Sequence, residues 1–313
     1  MCKTFDWDKN LTSEQSATPK VSVLMTCYNA ASTIEESVRS VLAQTFVDFE
    51  LVLVDDLSSD NSIALIERIG DPRIKITKLK TRHRRTKALN QGFNVCCGEY
   101  IAVLDADDLA HPTRFAKQVR FLDHNPKIVA VGTWFSNIDA KGDLISRSEF
   151  KTTNSTIRRR LAFNSALVHS SMMYRRSTAQ SLGAYSEDFD YAQDFAMWIS
   201  LAEIGDIGAI PEQLTKIRRL ANSMTTGMDY SINLVRDSYE LYKRAQGLDG
   251  LRAIDRLRGQ RTIGLSGLLY AWRSLRAGNV VRAIGLTITN LWALPLAIVE
   301  LLRKGFKFFK PIK

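Results

Sequence analysis

VSVLMTCYNAASTIEESVRSVLAQTFVDFELVLVDD, residues 21–56, reads as strand, loop, helix and strand. Val21 to Thr26 is a short apolar run rich in β-branched residues, and Phe49 to Val54 has the character of a buried strand. Between them, Ser32-Thr-Ile-Glu35 has the spacing of a capping box, opening an amphipathic helix through about Gln44.

The unit repeats outward from this stretch. Ser59 to Ile69 reads as a helix closed by Gly70, Arg73 to Thr77 as a third strand, Thr86 to Val95 as a helix, and Tyr100 to Leu104 as a fourth strand. Strands alternating with helices imply a parallel sheet covered on both faces. Ligands of such sheets sit beyond the carboxyl ends of the strands. Three of the four strands end there in polar groups, Thr26-Cys-Tyr28, Asp55-Asp56 and Asp105-Ala-Asp107-Asp108. After Pro112, at the first turn of another helix, come strand-like runs at Ile128 to Val131 and Ser171 to Tyr174, then a helix from about Ala192 to Ile204 ended by Gly205. From about 230 the chain reads as helical and basic, which places a boundary near 225.

At 313 residues with 45% hydrophobic and 24% charged content, the chain can bury a full core and fits one large domain or one domain plus an appendage. Cys2, Cys27, Cys96 and Cys97 form no CxxC pair and the four histidines are scattered, so neither a disulfide framework nor a zinc site is signalled, and a reducing cytoplasm is expected. Residues 1–20 form a polar lead-in without the pattern of a secretory signal. The formal charge of +10 is uneven: residues 1–212 carry 25 basic and 27 acidic groups, and residues 213–313 carry 18 and 6.

Asp105 and Asp107, at i and i+2 just past a strand, can turn toward one cation, and such hard oxygen ligands suit Mn²⁺ or Mg²⁺ with a diphosphate completing the shell. Asp108 is placed to cap the next helix, and a solvated acidic turn is the plain alternative for the whole run. Of Asp55 and Asp56, helix capping accounts for one; a carboxylate there can also accept from a base N–H or a ribose hydroxyl. Arg82-His-Arg-Arg-Thr-Lys87 offers positive charge and helix N-terminal amides to a diphosphate. A nucleic-acid partner is not expected, because the basic stretch is single and lacks interleaved aromatics. A dinucleotide-binding enzyme would carry GxGxxG where Thr26-Cys-Tyr-Asn-Ala-Ala stands, and an aspartyl phosphatase would place its acidic motif on the first strand, not the fourth. Nucleotidyl transfer to a sugar phosphate would want a Gly-rich loop after Met25; a non-catalytic carbohydrate- or lipid-binding module would not need Asp56, Asp105, Asp107 and Asp194 together.

In order along the chain, VSVLMTCYNAASTIEESVRSVLAQTF, VDDLSSDNS, ALNQGF, LDADDL, VGTWFSNIDAKG, HSSMMYRRS and YAQDFAMW resemble the landmarks of the family 2 glycosyltransferases. The likeness runs from Val21 to about Thr225. It implies a GT-A fold, an α/β nucleotide-diphospho-sugar transferase architecture with a Rossmann-like, mostly parallel sheet. It also implies a nucleotide-binding half at about 21–110 and an acceptor-binding half at about 111–225; the helical basic region at 226–313, beyond the likeness, is an appendage by its own composition. By position, the resemblance implies that Thr26 and Tyr28 contact the nucleoside, Asp56 the base, Asp105 the ribose or diphosphate, and Asp107 the metal. Arg84 is the nearest match to a donor-contacting arginine, with Arg85 and Lys87 as rivals. Asp194, in Tyr191-Ala-Gln-Asp194, matches the general base of an inverting transfer. Pro is frequent in the family at Thr26 and Glu at Gln193, and the late Arg-x-His reads Arg218-Arg-Leu220 here. The implied reaction moves a sugar from a nucleotide donor, UDP-linked by expectation, to a glycan or lipid-linked acceptor of cell-surface polysaccharide synthesis.

Ala283 to Val299 are 17 uncharged residues, at the short limit of a membrane span and interrupted by Asn290 and Pro295. With Arg282 before them and Arg303, Lys304, Lys307 and Lys310 after, an interfacial helix on the cytoplasmic face of a membrane is the favoured expectation, ahead of internal or subunit packing and of spanning.

Overall fold

The computed structural model describes residues 18–164, 167–220 and 232–295. The first half runs β1 (Val21–Cys27), α1 (Ile34–Leu42), β2 (Phe49–Asp55), α2 (Ser62–Glu67), β3 (Ile74–Lys78), α3 (Arg84–Val95), β4 (Tyr100–Val103), β5 (Leu109–Ala110) and α4 (Arg114–His124). Then come β6 (Ile128–Ile138), β7 (Leu144–Ser148), α5 (Asn154–Leu161), β8 (Met173–Arg175), α6 (Arg176–Ser181), α7 (Gln193–Ile204) and β9 (Asp206–Arg218). Three helices follow, α8 (Ile232–Ala245), α9 (Ala253–Arg276) and α10 (Val280–Asn290).

The strands form one sheet in the order β3-β2-β1-β4-β8-β6-β9-β5, with β7 on β6. β3, β2, β1 and β4 are parallel. β8 is antiparallel to both β4 and β6, and β9 is parallel to β6, so six of these strands share one direction. The carboxyl ends of β1, β2, β4, β6 and β9 therefore meet at one edge, which is where the polar groups lie.

The period of two in β1 and β2 decides which core each side chain joins. Leu24, Val52 and Val54 face α3 and α7, with Ala88, Phe93 and Trp198. Val23, Met25, Leu51 and Leu53 face α1, α2 and α4, with Val38, Ile66 and Phe115. Each such aliphatic side chain contributes about 1.5–3 kcal/mol by leaving water. Gly92 lets α3 lie close on the sheet: a Cβ there would stand 2.4 Å from Leu24 Cδ1 and 2.7 Å from Val54 Cγ2.

Several elements differ from expectation. The capping box at Ser32 does not form: α1 begins after Thr33, which makes no side-chain cap, and the Thr33 hydroxyl donates to the Ala106 carbonyl at 3.0 Å. β6 is far longer than Ile128 to Val131, and β9 was not expected as a strand. Ser171 belongs to a 3-10 turn, His169–Ser171, ahead of β8.

α8 joins the core through Leu241 and Ala245, and Phe195 stacks edge-on with Tyr242 at 5.2 Å. α10 packs back on α9 where Gly264 and Gly267 leave room for Ala293 and Asn290. Among the described residues, no helix is long and apolar enough to cross a membrane. Residues 1–17, the expected boundary near 225, the end of the apolar run from 296 and the basic residues from 303 on lie outside the described residues.

Candidate functional site

The turn after β4 is built as a rack for three carboxylates. Ala106 sits beneath it, its carbonyl accepting from the hydroxyls of Thr33 and, at 2.9 Å, Ser37. The Asp105 amide donates to Ser170 Oγ at 3.0 Å, and that hydroxyl donates to Asp108 Oδ2 at 2.5 Å. Asp108 Oδ1 accepts from the Arg218 amide at 2.8 Å. The buried Arg218 guanidinium reaches the Asp107 carbonyl at 3.0 Å, the Ala140 carbonyl at 3.0 Å and Glu36 Oε2 at 2.5 Å. Asp108 therefore braces the turn against β9 and does not cap a helix.

Asp105 Oδ1 accepts from Arg85 at 2.5 Å and lies 3.1 Å from His169 Nδ1. The buried His169 ring is held from behind by Tyr185, whose hydroxyl is 3.0 Å from Nε2. Burial opposes a charge on Asp105, but Arg85 and His169 outweigh it and hold the carboxyl well below the usual range. Burial and then Asp105 push Asp107 up to about 6, and the same two causes, with Asp107, raise Asp108 well above its ordinary value.

Asp105, Asp107 and Asp108 bring ligand oxygens within 4.8 Å of one another. Among the described residues, no other residue's donor reaches the Asp107 carboxylate, and both donors to Asp105 use Oδ1. The donor set fits Mn²⁺ or Mg²⁺: hard oxygens, a carboxylate in want of positive charge, and too few protein ligands to complete a shell without substrate oxygens.

Two loops beside this turn are cross-stitched. The Asn29 amide donates to Ser58 Oγ, the Ala30 amide to Ser62 Oγ and the Ala31 amide to Asp60 Oδ2, each at 2.9–3.0 Å. Asp56 is buried, and its two oxygens accept from the His83 amide at 2.6 Å and the Arg84 amide at 2.9 Å. It thereby caps the start of α3 from another strand. Leu57 and Arg84, on either side of this contact, have φ of 68° and 65°, a left-handed backbone that bulky residues adopt only where surrounding structure holds it.

Thr26 is half-buried at the end of β1, in register with Val54. Tyr28 is exposed, with the Arg82 guanidinium 3.5 Å over its ring. The Arg84 side chain points away to Asp190 at 3.3 Å and Lys87 to Glu187 at 3.8 Å. Arg85 is the cation of the cluster, its charge favoured by Asp105, Asp194 and Asp107 in spite of burial. With the Gln193 amide turned so that its oxygen accepts from Arg85 Nε at 2.9 Å, the start of α7 is tied to the same guanidinium. Asp194 stands in the first turn of α7, with Oδ1 accepting from the Phe195 amide at 2.7 Å. The structure thus gathers Asp105, Asp107 and Asp194 around Arg85, and sets Tyr28 and Asp56 at the neighbouring strand ends.

Sequence reasoning ranked Arg84 above Arg85 and gave no role to His169, Ser170 or Tyr185. The His-Ser-Ser run before a short strand was visible, but nothing in its spacing shows that it returns beneath the acidic turn.

The family described as Glycosyl transferase family 2 matches residues 22–183. A putative glycosyltransferase of Bacillus subtilis, EpsE, is 32% identical over 206 residues, covering 64% of this chain and 73% of that one. The fold is similar to that of S. aureus TarS in complex with UDP-GlcNAc, at 20% identity and a TM-score of 0.61 over 82% of this chain and 73% of that one. It is also similar to a mannosyltransferase from Pyrobaculum calidifontis in complex with GDP-Man and Mn²⁺, at 17% identity and a TM-score of 0.60 over 98% and 85%.

Proposed function

The chain belongs to glycosyltransferase family 2, and from that premise we propose that it transfers a sugar from a UDP-linked donor to a hydroxyl of a glycan or lipid-linked acceptor, with inversion, using Mn²⁺ or Mg²⁺. The observation that carries this reading is the acidic turn in which, among the described residues, other residues donate to the carboxylates of Asp105 and Asp108 and none to that of Asp107. Solved structures of similar fold hold UDP-GlcNAc in one case and GDP-Man with Mn²⁺ in another. The setting, synthesis of a surface polysaccharide such as lipopolysaccharide, capsule or exopolysaccharide, follows from the acceptor class and rests on the resemblance.

The base lies over Tyr28 beside Thr26, and Asp56, whose oxygens keep free lone pairs beyond their helix contacts, accepts from its N–H. Asp105 Oδ2 is turned to the ribose or diphosphate. The cation, when bound to Asp107, supplies charge neutralisation to the departing diphosphate. Arg85 adds a second positive charge that is already in place before the donor arrives. Asp194 takes the proton of the attacking acceptor hydroxyl, on the opposite side from the leaving group. Gln193 and Arg85 orient α7 for that role.

A panel of nucleotide-sugars incubated with Mn²⁺ tests the reading. One donor, UDP-linked, is expected to be turned over by the wild type and not by Asp107→Ala; equal turnover by both would remove Asp107 as the metal ligand. With donor and acceptor in excess, wild-type turnover in Asp194→Asn would remove Asp194 as the base.

A further inference from the structure

α10 has two apolar sides, and among the described residues only one of them is packed. Ala283, Asn290 and Ala293 are buried against α9, where the glycine seam at Gly264 and Gly267 brings the two helices into contact. The opposite stripe, Val281, Ile284, Ile288 and Leu291, recurs at i, i+3, i+7 and i+10, which places it on one helical face. These residues are 84%, 55%, 69% and 55% exposed, whereas the half-exposed Trp292 lays its indole edge against Gly264 of α9. An ordinary surface helix turns its one apolar stripe inward and its polar residues out; α10 leaves a second stripe in the open.

The charge of the α9–α10 hairpin from 256 on is of one sign. From 256 to 295 the sequence has six arginines, Arg256, Arg258, Arg261, Arg273, Arg276 and Arg282, and no aspartate or glutamate. Five of the six are exposed. Arg273 and Arg276 lie over the Trp272 ring at 5.3 and 4.9 Å, an aromatic and cationic pair of the kind that suits the headgroup zone. A second copy of this surface would repel the first, whereas an anionic bilayer meets both the charge and the apolar stripe.

We propose that the outer face of α10 is a membrane-docking surface, lying in the plane of an anionic phospholipid leaflet with Val281, Ile284, Ile288 and Leu291 among the upper acyl chains and the positive charge of the hairpin drawing it to the phosphates. The docking is independent of the transfer reaction proposed above.

Flotation of the full chain with vesicles of phosphatidylcholine containing about 30 mol% phosphatidylglycerol, and with phosphatidylcholine alone, tests it; Ile284→Asp/Ile288→Asp is the variant and Ile145→Asp, on exposed β7, the control. The wild type and the control are expected to float with the anionic vesicles and at least about tenfold less with the neutral ones, and the double variant to stay at the bottom with an unchanged circular dichroism spectrum. Three results would overturn the proposal. The wild type fails to float, or the double variant floats like the wild type so that the apolar and basic residues after 295 hold the lipid, or the double variant instead converts a dimer to a monomer on sedimentation.

Discussion

The turn after β4 and the α9–α10 hairpin both depend on close approach between segments distant in sequence, and they achieve it with opposite materials. Around Asp105–Asp108 the approach is polar. Ser170, Arg218, Thr33 and Ser37 each donate into the turn, and the result holds like charges together at a cost that falls on Asp107. In the hairpin the approach is made by bare backbone, since a Cβ at Gly264 would stand 2.4 Å from the Ala293 Cβ and one at Gly267 would stand 2.4 Å from Asn290. The first region spends stability on a group left waiting for a ligand. The second gains contact on one side and leaves the other side apolar and open.

The largest effects should come from the polar region and appear in turnover while stability holds or rises. Asp107→Asn is expected to reduce donor turnover by about 100-fold or more. The same variant should be more stable than wild type near neutral pH. Asp107 is pushed up to about 6 in the folded state, above an unfolded value of about 4, so the fold binds the extra proton and loses stability as pH rises between those values. Thermal melts should therefore show the variant ahead above pH 6 and level with wild type below pH 4, by an amount on the order of 1 kcal/mol. A variant that loses stability at pH 7 would mean that Asp107 is paired in the fold and not held for a ligand.

A smaller effect separates two adjacent arginines. Arg85→Ala should raise the donor KM about tenfold or more, because its charge faces Asp105, Asp107 and Asp194, whereas Arg84→Ala, pointing to Asp190, should change it by no more than about threefold. The reverse order would restore the sequence-based ranking.

That ranking shows where legibility ends. Five cationic side chains in six residues told that charge was needed before α3, but the left-handed backbone at Arg84 and the two amides held by Asp56 set the rotation of the first turn, and so which arginine faces inward. β1, β2 and β4 were legible because buried parallel strands are written as short apolar runs. β9 was hidden because Glu212, Gln213 and Lys216 interrupt its apolar pattern where the strand runs over the surface. The spacing of Asp105 and Asp107 offered two carboxylates to one cation but left a solvated acidic turn as the alternative; that Asp108 would turn inward to Ser170 and the Arg218 amide required knowing that β9 ends beside the turn after β4. The expected capping box failed because the helix starts one residue later than Ser32-Thr-Ile-Glu35 implies, after Thr33.

Away from the acidic turn, the effects should be on stability alone. Glu50 is buried at the opposite edge of the sheet, accepting from Ser22 Oγ at 2.5 Å and the Cys97 amide at 2.9 Å and paired with Lys75 at 2.6 Å. Burial opposes its charge, but Lys75, Ser22 and Cys97 together hold its carboxyl below the ordinary value. Its contribution is therefore complete above the unfolded value and lost as pH falls through the folded one. Glu50→Ala should cost about 2 kcal/mol at pH 7, the half-exposed Lys75 reducing what a fully buried pair would show, and less in acid. An equal loss at all pH values in urea melts would place the effect in packing.

The smallest predicted change contrasts the two glycine contacts. Gly92→Ala, whose Cβ meets Leu24 and Val54 in the sheet, should destabilise by about 1–3 kcal/mol, whereas Gly264→Ala should shift α10 at about 1 kcal/mol and leave donor turnover unchanged. If Gly264→Ala abolished turnover, the hairpin would have to be counted as part of the catalytic unit.

The central claim is that Asp107 is held in reserve for a cation that arrives with the donor diphosphate, and calorimetric titration of Mn²⁺ in the presence of UDP into wild type and Asp107→Asn tests it most directly. Binding to the wild type, with affinity at least about tenfold lower in the variant, is the predicted result; equal affinity in the two proteins would contradict it.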